Sequence, residues 1–297
     1  MYNHPPSPSV TATYPVPTTY VLQPIVATKL HKTVVNALEI LPGTSSPPLL
    51  ASAGSDFTIH LTPLPTSSSP PITLAPLLSL KGVHLRPVTA LLALPTDSLL
   101  SASADGSLRK WDTRSGAQQA MWTMPKPAAA LALAADDASR GLGGVWVALA
   151  DGDVRLVDTR VSTTSATTTT TTTQWSAGAA ARAIAASVDG QEVALGAADG
   201  TSALFDVRAG SVRERWKRSG APVECVSFAP GGRVVVGGED GLPYVVDFKR
   251  GLGGDRAGLH VSEELVFGNV EAVRALRVSE EVVYMAGDGG VVRKYRV

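Results

Sequence analysis

The sequence has almost no cysteine, and its charges cancel. Cys225 is the single cysteine among 297 residues, so an internal disulfide is excluded and a reducing intracellular compartment, nuclear or cytosolic, is expected. The 26 basic and 26 acidic side chains give no electrostatic basis for binding nucleic acid or a membrane surface directly. No run approaches the roughly 20 apolar residues of a membrane helix. The N-terminus also lacks the basic start and apolar run of a secretory signal.

The patterns of common catalytic and metal sites are also absent. The five histidines, none of which has a metal-ligand spacing to another, are His4, His31, His60, His84 and His260. There is no G-x-S-x-G nucleophile elbow. The GLGG segments at 141–144 and 251–254 do not continue into Lys-Ser/Thr, so they are interpreted as turns and not as phosphate loops. We therefore predict no enzymatic activity, no cofactor and no metal.

A repeat of six units is what the sequence does contain. The clearest unit, 83–116, has an apolar strand, a turn, a small-residue strand, a tight Asp105-Gly106 turn and a strand ending at Trp111-Asp112. The same order recurs in residues 35–64, 128–160, 181–208, 223–249 and 273–297. The turn aspartates, roughly 41 to 49 residues apart and so close to the period of four-stranded propeller blades, are Asp56, Asp105, Asp151, Asp199, Asp240 and Asp288.

Residues 84–112 resemble the WD40 repeat, which runs from Gly-His through V-x-x-V-x-F-S-P and S-A-S-x-D-G to Trp-Asp. The resemblance implies an all-β propeller over about residues 20–297. It also implies a buried network that satisfies polar groups inside the sheets and joins His84, Ser101, Asp105 and Trp111. In the first unit His31 takes the histidine position but Thr62 takes the tryptophan position. The full network is therefore expected in the second unit alone.

The blade count follows from both chain ends. The last unit lacks an outer strand, and residues 19–29 supply a spare one, so we predict that this strand pairs with 290–297 and closes a ring of six blades. Seven blades, the commoner number in this family, remain the alternative. Residues 1–18 are expected to be a flexible Pro/Thr/Ser-rich terminus, 19–297 a single propeller domain, and 162–173 a threonine-rich surface loop.

The resemblance implies a non-catalytic scaffold that assembles other proteins or peptides into a larger complex. In this family the face that carries the histidine loops and aspartate turns is the usual partner surface. The candidate contact residues on it, beside the starts of the first strands, are Lys32, Arg86, Arg182, Glu224 and Glu271.

An alternative function rests on a second motif. In WD40 proteins that act as substrate receptors of cullin-4 ubiquitin ligases, a W-D-x-R tetrapeptide helps to dock the adaptor. The D-x-R pairs of this sequence are Asp112 and Arg114, Asp158 and Arg160, and Asp206 and Arg208. The competing interpretation is that each arginine pairs with a carboxylate of a neighbouring blade or is solvated at the edge.

Overall fold

A computed structural model describes residues 18–20, 29–41, 48–64, 75–82, 84–94, 97–134, 144–160, 171–248, 260–265, 271–279, 281–288 and 292–296. These residues form 24 strands in six four-stranded antiparallel sheets. Over the same ranges, no helix has the length and apolar character needed to cross a membrane.

Each sheet is one blade, and its strands are given from the innermost to the outermost. Blade I contains β2 (Val35–Leu41), β3 (Leu49–Gly54), β4 (Ile59–Pro63) and β5 (Leu78–Leu80). Blade II contains β6 (Val88–Leu94), β7 (Ser98–Ser103), β8 (Ser107–Asp112) and β9 (Gln118–Thr123). Blade III contains β10 (Ala128–Leu133), β11 (Gly144–Leu149), β12 (Asp153–Asp158) and β13 (Thr171–Ser176).

The second half of the chain repeats this order. Blade IV contains β14 (Ala181–Ala186), β15 (Glu192–Ala197), β16 (Thr201–Asp206) and β17 (Ser211–Lys217). Blade V contains β18 (Val223–Ala229), β19 (Arg233–Gly238), β20 (Tyr244–Asp247) and β21 (His260–Glu264). Blade VI contains β22 (Val273–Ser279), β23 (Val282–Gly287), β24 (Val292–Arg296) and, as its outermost strand, β1 (Thr18–Tyr20) from the other end of the chain.

Strand β1 pairs with β24, with Thr18 opposite Lys294 and Tyr20 opposite Val292. The prediction of a six-bladed propeller whose last blade is completed by the N-terminal strand is therefore confirmed. The described part of that strand begins at Thr18, and residues 1–17 and 21–28 of the predicted N-terminal segments lie outside the described residues. Pairing protects the edge that β24 would otherwise expose.

The turn between the second and third strands of a blade needs a residue with positive φ, and glycine meets this need without steric cost. Gly106 (φ 81°), Gly152 (φ 92°) and Gly200 (φ 86°) occupy this place in blades II to IV. In blade I the same place holds Phe57 with φ 64°, a strained conformation for a bulky residue.

The apolar core is divided among the contacts between successive blades. Five clusters of buried side chains lie between blades I and II, II and III, III and IV, IV and V, and V and VI. Among the residues that the structure describes, no such cluster lies between blades VI and I. There Arg277 of β22 and Glu39 of β2 form an ion pair at 3.3 Å.

The threonine-rich segment differs from its prediction at one end. Thr171, Thr172 and Thr173 belong to β13 and pair with Val157, Leu156 and Arg155, whereas the expected loop extended through residue 173. The reason is that threonine, which is β-branched, has a high propensity for strands, so low complexity did not prevent pairing. Residues 161–170 lie outside the described part of the chain.

Candidate functional site

The structure brings together the four residues of the network in blade II. Nε2 of His84 lies 2.8 Å from the hydroxyl oxygen of Ser101, and the indole nitrogen of Trp111 donates a hydrogen bond to the same oxygen at 2.8 Å. Nδ1 of His84 lies 3.5 Å from a carboxylate oxygen of Asp105. These groups link the loop before β6 to β7, to the Asp105-Gly106 turn and to β8, so they tie the loop to the blade.

A fifth member, Ser107, was missed in the sequence. Its hydroxyl donates to Asp105 at 2.6 Å and lies 3.1 Å from Nδ1 of His84, so it mediates between the imidazole and the carboxylate. Asp105 also accepts from the backbone N–H groups of Leu85 and Ser107 at 2.9 and 2.8 Å. The sequence does contain a pattern that points to it: a hydroxyl residue stands two positions after the turn aspartate. The same pattern recurs with Thr58 and Thr201.

The burial of this network sets its protonation. Desolvation lowers the pKa of His84 to about 4, although the Asp105 carboxylate acts in the opposite direction. Burial alone would raise the pKa of Asp105, but the hydrogen bonds from Ser107 and from the backbone of Leu85 outweigh it and hold the pKa at about 2. At neutral pH a neutral imidazole therefore faces an ionised carboxylate.

Blade I carries a closely related network that lacks one member. Nε2 of His31 lies 2.9 Å from the hydroxyl of Ser52, and Nδ1 lies 3.0 Å from the carboxylate of Asp56. Thr58 donates to Asp56 at 2.7 Å, as Ser107 does to Asp105. Tryptophan is the one member missing: the buried hydroxyl of Thr62 takes its place without a hydrogen-bond partner.

A second buried histidine extends the network of blade I. The rings of His31 and His60 meet edge to face, with centroids 4.7 Å apart, and Nδ1 of His60 lies 2.8 Å from the hydroxyl of Ser79 on β5. Burial, followed by the nearby His31, lowers the pKa of His60. His60 thus connects the inner network to the outermost strand of the blade.

Blades V and VI use other partners for their turn aspartates. In blade V, Ser219 occupies the histidine position and its hydroxyl donates to Asp240 at 2.7 Å. In blade VI the guanidinium of Arg274 donates to both carboxylate oxygens of Asp288, at 2.9 and 3.0 Å. The turn aspartate is therefore a connection point even where the histidine is absent.

All five predicted contact residues lie at one end of the ring, called here the top face, where the innermost strands begin. Lys32 and Arg86 are exposed and precede β2 and β6, Arg182 and Glu224 are the second residues of β14 and β18, and Glu271 precedes β22. The two glutamates are the least available of the five: Glu271 pairs with Arg293 at 3.5 Å and is 30% exposed, and Glu224 is 16% exposed.

A continuous set of charges lines half of the top face. In blades IV, V and VI the second residue of the innermost strand is Arg182, Glu224 and Arg274, and each guanidinium lies 3.9 Å from the Glu224 carboxylate. Arg274 also bonds Glu239 at 2.9 Å. In blades I and II the same position holds Asn36 and Thr89, which bond a backbone carbonyl of the next blade. Arg274 was not among the predicted contacts.

The D-x-R pairs lie at the opposite end of the ring, where the third strands end. Arg114 pairs with Asp97 of its own blade, and Arg160 donates to its own Asp158 at 3.0 and 2.8 Å. Both of these carboxylates belong to the arginine's own blade. Asp112 and Asp206 accept backbone N–H groups of their own turns, and Arg208 is exposed.

The residues that the structure describes contain no group of three or more His, Cys, Asp or Glu side chains placed to hold a metal ion. Cys225 is buried in β18, and burial raises the pKa of its thiol to about 12. This thiol is therefore protonated at neutral pH and inert.

Three tryptophans of the outer strands form a repeat that was also missed. Trp122, Trp175 and Trp216 lie on the fourth strands of blades II, III and IV, each opposite the second residue of the third strand. All three are buried. They cover the outer part of each blade, and the variable loop lengths before them hid their common register in the sequence.

The comparisons with known proteins agree with this geometry. Residues 76–112, which include most of blade II, match the family described as WD domain, G-beta repeat. No curated protein matches the chain. The fold is similar to the crystal structure of the WD40 β-propeller domain of Doa1, with a TM-score of 0.65 and 18% identity over 88% of this chain and 78% of that one.

A second similar structure is Sqt1 of Saccharomyces cerevisiae, with a TM-score of 0.68 and 18% identity over 89% of this chain and 72% of that one. Identities at this level establish the fold alone. Together with the strand topology, they show that the chain folds as a six-bladed β-propeller similar to those of WD40 proteins, and blade II matches the WD40 repeat itself.

Proposed function

We propose that this protein is a non-catalytic platform that binds other proteins or peptides through its top face and so holds together a larger intracellular complex. The observation that carries the proposal is the charge set at the starts of β14, β18 and β22. Arg182 and Arg274 keep 51% and 44% of their side-chain surface exposed, and both share the single carboxylate of Glu224.

This arrangement suits a protein partner better than a nucleic acid. Arginine is enriched in protein interfaces because its planar guanidinium makes several directed contacts. The Glu224 oxygen nearest both arginines has no hydrogen-bond partner of its own, so it attracts Arg182 without fixing it. Arg274 is already held by Asp288 and Glu239 and presents only its exposed side. Acidic and amide groups of a partner can therefore bind Arg182 first and the exposed side of Arg274 second, while Glu224 and Glu239 disfavour a polyanion.

The experiment is affinity purification of the tagged protein with partners identified by mass spectrometry, repeated with charge-reversed variants. Arg182→Glu combined with Arg274→Glu should remove most partners while the protein still unfolds in one cooperative transition. Some fall in melting temperature is expected, because a carboxylate at position 274 would face Glu239 and Asp288. The matched control is Arg160→Glu combined with Arg208→Glu on the opposite face. Partners that survive the first pair and disappear with the control would reject the top-face assignment.

The cullin-4 receptor function is the alternative that the control also tests. Arg208 is its most available residue, since Arg114 and Arg160 are engaged within their own blade. Loss of an adaptor with Arg208→Glu alone would favour this alternative over the top-face platform.

A further inference from the structure

The junction between blades VI and I differs from the five others in its exposure. The first residue of the innermost strand packs on the preceding blade and is 0 to 5% exposed in blades II to VI, whereas its equivalent in blade I, Val35, is 44% exposed. The fourth residue is 8 to 9% exposed in blades II, IV, V and VI, whereas Leu38 is 60% exposed. The preceding blade does not cover this wall of blade I.

The facing wall of blade VI is uncovered as well. The second-strand residue that faces the next blade is Ala51, Leu100, Trp146, Ala194 and Val235 in blades I to V. Each is at most 2% exposed, whereas its equivalent in blade VI, Tyr284, is 40% exposed. Ile40, two positions beyond Leu38, is 59% exposed. Val35, Leu38, Ile40 and Tyr284 therefore line an open apolar cleft, named here the I–VI wedge.

The width of the wedge limits what can enter it. Packed sheets lie about 10 Å apart, so inserting a whole sheet between two walls needs about 20 Å. The 3.3 Å ion pair between Arg277 and Glu39 joins the inner edges of the two walls, and two side chains cannot span such a distance. A single extended segment, with large apolar side chains two residues apart to match Leu38 and Ile40, fits this space.

The charges that line the wedge further limit which peptide segments can bind there. Arg277 is 80% exposed, while its partner Glu39 is only 16% exposed, so the accessible charge at the inner edge is positive. The ammonium group of Lys294 lies 6.0 Å from the centre of the Tyr284 ring and adds a second cation on the blade VI wall. A carboxylate beside the apolar residues of the segment would meet both cations.

We propose that the I–VI wedge is a binding site for an extended peptide segment of a partner protein, with alternating large apolar residues and an adjacent Asp or Glu. The proposal rests on the proposed platform function only in taking the partner to be a protein. It adds a site that is separate from the charge set of Arg182, Glu224 and Arg274.

The first test is whether the wedge is open. Leu38→Cys should react with a maleimide at a rate similar to Leu85→Cys, an exposed loop position, and at least tenfold faster than Leu91→Cys, the equivalent position in blade II. The native Cys225 is buried and contributes little background. A Leu38→Cys thiol as slow as Leu91→Cys would overturn the proposal, because the walls would then be covered.

The second test uses a displayed library of random 12-residue peptides selected on the full chain. Selected peptides should carry alternating apolar residues with an acidic neighbour, and should bind Leu38→Asp and Tyr284→Asp at least tenfold more weakly than the unaltered protein. Leu85→Asp is the matched control and should bind them normally. Light scattering on the unaltered protein and on Leu38→Asp measures whether each is a monomer or a dimer.

Three outcomes would overturn the proposal. One is that no peptide is selected, and another is that the selected peptides are insensitive to Leu38→Asp. Peptides whose binding is lost only with Arg182→Glu and Arg274→Glu are an example of this second outcome. They would overturn the wedge proposal but would support the top-face platform. The third is a dimer of the unaltered protein that Leu38→Asp dissociates, since a second copy would then occupy the wedge.

Discussion

The indole nitrogen of Trp111 donates a 2.8 Å hydrogen bond to the hydroxyl oxygen of Ser101. The indole nitrogen of Trp122, one strand further out in the same blade, is buried without a hydrogen-bond partner. The two tryptophans are both nearly inaccessible to solvent, so they form a matched pair that separates the hydrogen bond from the packing.

Replacing each tryptophan by phenylalanine should therefore have unequal effects. Trp111→Phe and Trp122→Phe both remove part of an aromatic ring system, but only the first removes a hydrogen bond, the one that Ser101 accepts. We expect Trp111→Phe to lower the free energy of unfolding by about 1 kcal/mol more than Trp122→Phe. Denaturant titration measures both, and equal losses would mean that the hydrogen bond adds nothing.

The turn aspartates should fall into two groups. Asp56→Ala and Asp105→Ala each break a buried network that includes a histidine, so each should cost on the order of 1–3 kcal/mol. Asp288→Ala should cost clearly less, because it removes an exposed pairing with Arg274. Thermal and denaturant unfolding of the three variants checks this order. If Asp288→Ala were as damaging as Asp105→Ala, the histidine networks would not be what stabilises these turns.

Stability should fall as the pH is lowered from about 6.5 to about 4. His84 has a pKa of about 4 in the folded protein and an ordinary value of 6.5 when unfolded, so the unfolded chain binds more protons in this window. The loss from His84 alone is on the order of 3 kcal/mol. Unfolding titrations at several pH values should show that the free energy of unfolding depends less steeply on pH in His84→Gln. The dependence that remains is expected to come from His60. If the pH dependence of the unfolding free energy were unchanged in His84→Gln, groups other than His84 would cause the loss of stability.

Much of blade II was predictable because local chemistry alone determines it. The Asp105-Gly106 turn, the alternating strand before it and Trp111 after it each require the same geometry, so sequence spacing was enough. The partners of Asp240 and Asp288 were not predictable, since Ser219 and Arg274 bear no resemblance to a histidine. The exposure of Leu38 and Tyr284 was also hidden, because it depends on the distance between the first and last blades.

Phe57 should be a position where a substitution to glycine is stabilising. Its φ of 64° is unfavourable for a bulky residue, and glycine already occupies the same place in blades II to IV. Phe57→Gly should raise the free energy of unfolding by about 0.5–1 kcal/mol, net of the added freedom of the unfolded chain. The residue is 39% exposed, so the packing that its side chain loses offsets only part of this gain.

The opposite substitution is the control for that prediction. Gly200→Ala should destabilise strongly, because a Cβ there would lie 2.1 Å from the carbonyl oxygen of Ser219 at a φ of +86°. If Phe57→Gly lowered the melting temperature, the turn of blade I would depend on the phenylalanine ring more than on its backbone.

The completion of blade VI, one wall of the I–VI wedge, depends on the pairing of β1 with β24. Thr19 lies directly opposite Arg293 in that pair. Opposed residues in an antiparallel ladder have Cα atoms about 4.5–5.5 Å apart, within the range that a disulfide spans. Arg296, at the far end of β24, lies opposite Val282 on β23 and is three residues further along, beyond that range.

The most direct measurement is oxidation of the double variant Thr19→Cys/Arg293→Cys, followed by non-reducing electrophoresis and mass spectrometry. The predicted result is a rapid, intramolecular 19–293 disulfide that raises the melting temperature, with little cross-linking in the control variant Thr19→Cys/Arg296→Cys. Absence of the 19–293 bond, or equal cross-linking in both variants, would contradict a ring whose last blade is completed by the first strand of the chain.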